Sequence, residues 1–164
     1  MIVAYTPDAH EKEFENLLLN SQTYLTKDAK RRPDYYTSRE GIKFETDVCE
    51  VMKHASKGGE FENTIELISG RKFPDIVANN FFGVEVKTSS KGSPWKCVGN
   101  SILETSRVES VERIYMFFGK IMPPPEFKFR KYEECLYDIA VTHSPRYLID
   151  MELPGLNMRN AMEK

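Results

Sequence analysis

Apolar positions recur at helical spacing near the start of the chain. From Pro7 or Asp8 onward, Phe14, Leu17, Leu18 and Leu25 fall on one face, with Glu11, Glu13 and Glu15 elsewhere. This predicts an amphipathic helix that weakens near Lys27–Arg32. The run from Lys27 to Pro33 is the most basic in the chain and reads as a charged connecting loop, solvated or in contact with phosphates. Ahead of the helix, Ile2–Tyr5 is short and apolar and predicts an edge strand. A second helix is marked by Phe44, Val48, Val51, Met52 and Ala55. Thr37 and Glu40 form a T-x-x-E capping box at its start, and Gly58 and Gly59 end it. At about 100° per residue, Glu45 lies at the edge of the apolar stripe and Glu50 on the far side.

Strand patterns follow. Thr64–Ser69, Asp75–Ala78 and Phe82–Ser89 read as three strands, the last two joined at the turn pair Asn79-Asn80. Asn100 or Ser101 caps a predicted helix running to about Glu112. Arg113–Lys120 is an apolar, buried strand, Pro123-Pro124-Pro125 breaks the chain, and Phe127–Tyr132 alternates as an edge strand. Leu136–Thr142 and Arg146–Met151 are further strands. The order predicts an α/β layer arrangement around a mixed sheet.

A chain of 164 residues is about enough for one domain, taken here as 1–164. Charged residues at 29% and hydrophobic ones at 40% exclude collagen-like, coiled-coil and disordered classes. The formal charge of −2 excludes a uniformly basic coat but not a local basic patch. No run approaches the roughly 20 apolar residues of a membrane span, and the start lacks the pattern of a secretory signal. Cys49, Cys97 and Cys135 are too few and too widely spaced for a disulfide framework or zinc knot. The expectation is a reduced, cytoplasmic protein without a membrane partner.

The chemistry concentrates at Pro74-Asp75 and Glu85-Val86-Lys87. In a strand, Glu85 and Lys87 point to one face while Phe82, Val84 and Val86 point to the other. A strict two-residue turn at Asn79-Asn80 would pair Asp75 with Val84, on the wrong face. One added residue, as in a three-residue loop with a bulge, sets Asp75 opposite Glu85, and this irregularity is predicted. Two carboxylates a few ångström apart repel unless a cation lies between them. Hard oxygen donors without His or Cys select Mg²⁺, with Mn²⁺ as substitute. Lys87 is placed to orient attacking water or to stabilise charge on phosphorus. Glu45 can reach in from its helix as a further ligand or as a base. The plain alternative is a solvent-facing Glu85/Lys87 pair on an amphipathic strand.

The segment FPDIVANNFFGVEVKTS, downstream of a Gly41-x-x-x-Glu45 helix, resembles the PD-(D/E)xK nuclease superfamily, and the core is similar to its archaeal Holliday-junction resolvases. The resemblance covers about Ser38 to Lys91, a third of the chain. It implies a restriction-endonuclease-like central mixed sheet with helices on both sides and a catalytic core over about 38–120. It also implies that Asp75 and Glu85 bind the metal with help from the Val86 carbonyl. Lys87 would be the catalytic lysine, and Glu45 the helix carboxylate, catalytic and metal-binding. The additional N-terminal helical segment (1–37) and long C-terminal half tilt the expectation toward a restriction-type DNA endonuclease. A structure-selective resolvase or repair nuclease, a non-catalytic nucleic-acid-binding module and an unrelated α/β domain with a chance motif are the alternatives.

Beyond the motif, Thr88–Lys96 offers hydroxyls, Lys91, Lys96 and the sole tryptophan. Lys91 and Lys96 are candidate DNA-backbone contacts. Trp95 either stacks on a base or packs as a lid over the core. Arg146, after the His143-Ser144-Pro145 turn, is a candidate phosphate clamp. Cutting both strands with one site per chain calls for a homodimer, a separate recognition domain or subunit, or two sequential cuts.

Overall fold

The computed structural model describes residues 7–68, 70, 72–89, 95–101, 107–141 and 145–154. The predicted strand at Ile2–Tyr5, the candidate Lys91 and the turn residue His143 lie outside them. Among the described residues three helices come first: α1 (Pro7–Arg31), the short α2 (Pro33–Thr37) and α3 (Ile42–Ala55). Strands follow as β1 (Ile65–Leu67), β2 (Ile76–Ala78), β3 (Phe82–Ser89), β4 (Lys96–Ser101), β5 (Arg113–Lys120), β6 (Glu126–Lys131), β7 (Leu136–Val141) and β8 (Pro145–Asp150). The fold is mixed α/β. A five-stranded mixed sheet has the order β1-β2-β3-β5-β6, in which only β3 and β5 run parallel. A separate antiparallel sheet has the order β4-β8-β7.

The alternation along β5 explains the layering. Tyr115 and Phe117 pack with Phe14, Leu18, Phe44, Val48 and Met52 of the helices. Met116 and Phe118 point the other way, into a cluster with Trp95, Leu136, Ile149 and Met151. A strand buried on both faces reads as a continuous apolar run, as Ile114–Phe118 does. The described helices therefore cover one face of the large sheet, and the small sheet covers the other. Part of the predicted helix on the second side, residues 102–106, lies outside the described residues. Gly119 makes the helix contact close: a Cβ there would lie 2.8 Å from Phe44 Cζ. No described helix is long and apolar enough to cross a membrane.

Three sequence expectations change. The run from Lys27 to Arg31 is the last part of α1, not a loop. Ala29 and Asp28 are buried there, and the Asp28 carboxylate accepts hydrogen bonds from Arg31 (2.5 Å), Arg32 (2.8 Å) and the Tyr36 hydroxyl (2.5 Å). A charged run thus hides an inward-facing hub. The T-x-x-E capping box does not form: Thr37 ends α2, and α3 begins after Gly41, whose φ of +59° favours glycine. Finally, Ser101 belongs to β4, and residues 107–112 form a bridge to Phe73 and a turn instead of the end of a helix. Val108 N–H donates to the Phe73 carbonyl at 2.9 Å, tying this segment beside Pro74.

Candidate functional site

The β2–β3 hairpin sets the geometry. Ala78 pairs with Phe82 and Ile76 with Val84, so the connection is the three-residue loop Asn79-Asn80-Phe81. Both asparagines are left-handed, at φ 52° and 53°, a conformation Asn tolerates better than most residues. Phe81 N–H donates to the Ala78 carbonyl at 3.2 Å. Extended one step, this register places Asp75 across from Glu85, as the added residue requires. The extra residue sits in the loop, and the paired residues show no bulge.

A bare strand surface lets Asp75 approach. Gly83 shares the face of Glu85, two residues away, and a Cβ on it would overlap Pro74 Cγ. The proline ring therefore lies where another residue would carry a side chain, and the following Asp75 is delivered to Glu85. Asp75 Oδ2 accepts the Val86 N–H at 2.8 Å. In an extended strand the N–H and C=O of one residue point to the same edge, so the Val86 carbonyl faces this notch too. Lys87 Nζ lies 3.2 Å from Glu85 Oε1. Glu85 is 3% exposed at the side chain and Lys87 26%, so the lysine is the group that meets solvent.

The electrostatics follow from these contacts. Burial raises the proton affinity of Asp75, opposed by the Val86 N–H, the Lys87 charge and a side-chain hydrogen bond with Glu85. Burial works to lower the Lys87 pKa, but the Glu85 and Asp75 carboxylates more than offset it. Lys87 is thus held as an ammonium. Glu45, half-buried in the first turn of α3, has its pKa raised by burial and by the Asp75 charge, with Lys87 acting against both.

The donor set suits a small hard cation: two hard carboxylates with a carbonyl turned to the same edge. Among the described residues, no three His, Cys, Asp or Glu side chains stand close enough together to hold a metal by themselves. Glu45 is near enough to feel the charges of Asp75 and Lys87. It acts on the pair through its field.

Two neighbours of the pair had no signature in the sequence. Cys97 on β4 and Tyr132, in the 3-10 turn Tyr132–Glu134 after β6, both stand within electrostatic range of Glu85. Burial, against the nearby Lys87 charge, pushes the Cys97 thiol up to about 11, so it is a neutral thiol at physiological pH. The Tyr132 ring packs edge-on to Phe73, 5.4 Å between centroids, beside the Pro74-Asp75 arm. Cys97 comes from the next strand and Tyr132 from a turn far along the chain, and no local spacing announces either.

The candidate DNA contacts are dispersed. Trp95 is 7% exposed, packs on Phe118, and has the Lys128 ammonium 4.2 Å from its ring centroid. It is a lid over the small-sheet cluster, which corrects the base-stacking expectation. Lys96 is exposed and lies 3.9 Å from Asp150. Arg146 is exposed on β8 and donates a long 3.4 Å hydrogen bond to the Gly99 carbonyl. Lys96 pairs with Asp150 and Arg146 with Ser101, so the two cations stand at opposite ends of the β4–β8 ladder. Comparison with protein-family models, with curated proteins and with solved structures found no match to this chain.

Proposed function

We propose that the chain is a metal-dependent DNA endonuclease that hydrolyses phosphodiester bonds on a restriction-endonuclease-like sheet. The observation that carries the reading is the convergence of Asp75, Glu85 and Lys87 in one notch, from a hairpin whose register and bare Gly83 both favour it. Asp75 and Glu85 would hold Mg²⁺, with Mn²⁺ as substitute, beside the Val86 carbonyl. That ion, when bound, supplies Lewis-acid polarisation of the scissile phosphate.

The residues of the chain divide the remaining work. Lys87, held as an ammonium, orients the attacking water and balances negative charge that builds on phosphorus. Because it already carries its proton, Lys87 cannot accept one from the water. Glu45 has a raised pKa and sits on the helix flank of the notch, so it is the better proton acceptor. Water adds to phosphorus in line as the 3′ oxygen leaves. The 5′-phosphate and 3′-hydroxyl outcome comes from the family resemblance. Cleavage of both strands would use a homodimer, a separate recognition subunit or sequential cuts.

The test is conversion of supercoiled plasmid to nicked and linear forms with Mg²⁺, and its arrest by EDTA. Product ends that a ligase rejoins without further treatment are expected. A plasmid that stays supercoiled with both Mg²⁺ and Mn²⁺ counts against the reading.

A further inference from the structure

The corner where α1, α2 and α3 meet carries a concentration of positive charge. The cations at this corner are Lys27, Lys30, Arg31, Arg32, Arg39 and Lys43, against Asp28, Asp34, Glu40 and the Asp47 that holds Arg39. The corner is net positive in a chain whose formal charge is −2, so the remainder is more acidic still. Lys27, Lys30 and Arg31 lie three and four residues apart in the last turns of α1, and share one exposed face.

The arginines are held in place. Arg32 lies 4.1 Å and Arg39 4.8 Å from the Tyr35 ring centroid. Tyr35 donates its hydroxyl to Asp47 at 2.8 Å, and Arg39 grips the same carboxylate at 2.8 and 2.9 Å. Arg39 also donates to the Lys43 carbonyl at 3.3 Å, which joins the α1 end of the patch to the first turn of α3. Guanidiniums fixed on an aromatic ring lose less side-chain freedom when they meet a phosphate.

Helix electrostatics explain only part of this. Cations in the last turn of α1 complement its dipole. Lys43 stands in the first turn of α3, where the dipole disfavours a cation, and it is exposed. Two residues further along α3 is Glu45, which senses the charges of Asp75 and Lys87. Residues two apart on a helix point to different faces, so the patch and the notch share the first turn of α3 without sharing one surface.

Building on the endonuclease reading, we infer that this corner is a docking surface for the phosphate backbone of duplex DNA. The occupant is chosen by charge complementarity: a dense line of phosphates matches a basic patch on an otherwise acidic chain. The contact is to backbone and carries no sequence preference.

The test uses the full chain and a fluorescent 30-base-pair duplex, with binding followed by anisotropy in EDTA over a range of NaCl. The triple variant Lys27→Ala/Lys30→Ala/Lys43→Ala leaves the Asp28 and Asp47 hubs intact. Its control, Lys12→Ala/Lys53→Ala/Lys57→Ala, removes the same charge from exposed positions elsewhere. The patch variant should bind at least tenfold more weakly near 0.1 M salt. Its plot of log K against log salt should be shallower by about 2–3, since each lost phosphate contact removes about 0.9. The control should retain the wild-type slope. Equal weakening in both triples, an unchanged slope, or no duplex binding by the wild type overturns the inference. So does a change of oligomeric state, seen by sedimentation, in place of a change in DNA binding, because the patch would then be a protein interface. Binding through the corner without cleavage under Mg²⁺ upholds the inference and defeats the endonuclease reading. Cleavage with the corner indifferent does the reverse.

Discussion

Substituting Gly83 tests how the Pro74-Asp75 arm is seated. An alanine methyl would overlap Pro74 Cγ and come within 2.9 Å of Val111 Cγ1. Pro74 can move Cγ only by changing its ring pucker, and both neighbours are buried, so little of the strain can be relieved locally. Overpacking of this kind costs about 1–3 kcal/mol. Restricting the unfolded chain returns about 0.4–1 kcal/mol. Gly83→Ala should therefore lose about 1–2 kcal/mol, read as a lower urea midpoint with an unchanged m value. Because Pro74 carries Asp75, the variant should also lose Mg²⁺-dependent cleavage by more than its stability explains. A double-mutant cycle isolates the cause: Pro74→Ala removes Cγ, and in that background the cost of Gly83→Ala should fall by half or more. A Gly83→Ala protein as stable and as active as wild type would refute the reasoning. So would a penalty that persists undiminished beside Pro74→Ala.

Further outcomes follow from other contacts. Asp28→Asn strips a buried hub of its charge while Arg31 and Arg32 remain, and should cost about 3 kcal/mol by urea unfolding. Burial works to raise the Asp28 pKa, but hydrogen bonds from Arg32, Tyr36 and Arg31 outweigh it and hold the group at about 2, against 3.8 for the free side chain. A folded-state pKa below the unfolded one means stability that is complete above about pH 4 and fades as pH falls toward 2. About 2 kcal/mol is at stake, so the difference between wild type and Asp28→Asn should shrink over that interval. Gly119→Ala would set a methyl 2.8 Å from Phe44 Cζ, and should cost about 1–3 kcal/mol by urea unfolding. Tyr115→Phe removes a hydroxyl bonded to Glu15 at 2.8 Å and Glu11 at 3.2 Å, and should cost about 1 kcal/mol with cleavage retained.

The strands around the notch were legible because their signals are local. Phe82–Ser89 and Arg113–Lys120 have the bounds the pattern predicts, and the face assignment of Glu85 and Lys87 needed only the two-residue period. The three-residue loop could be reasoned from the face Asp75 must occupy. Where tertiary contacts overrule local chemistry, the sequence misleads. Lys27–Arg31 looks solvated because Asp28 is charged, yet Asp28 faces inward and collects two arginines and a tyrosine. The T-x-x-E pattern at Thr37 and Glu40 yields to the Gly41 turn. The small sheet escaped because β4, with Gly99 and Asn100, carries weak strand propensity and forms by pairing with β8, some fifty residues later. For the same reason Cys97 and Tyr132 could not be placed beside Glu85 in advance.

The central claim is that Asp75, Glu85 and Lys87 form one metal-dependent hydrolytic centre. It is tested most directly by cleavage of supercoiled plasmid, linear duplex and four-way junction, each with Mg²⁺, Mn²⁺ or EDTA. Wild type should be compared with Asp75→Ala and Lys87→Ala, whose folded state is verified by circular dichroism. The account predicts cutting by wild type in either metal, none in EDTA, and a loss of at least a hundredfold in both variants, while the preferred substrate separates a restriction-type from a junction-selective enzyme. Cutting that survives EDTA, or that persists undiminished in folded Asp75→Ala and Lys87→Ala proteins, would contradict it.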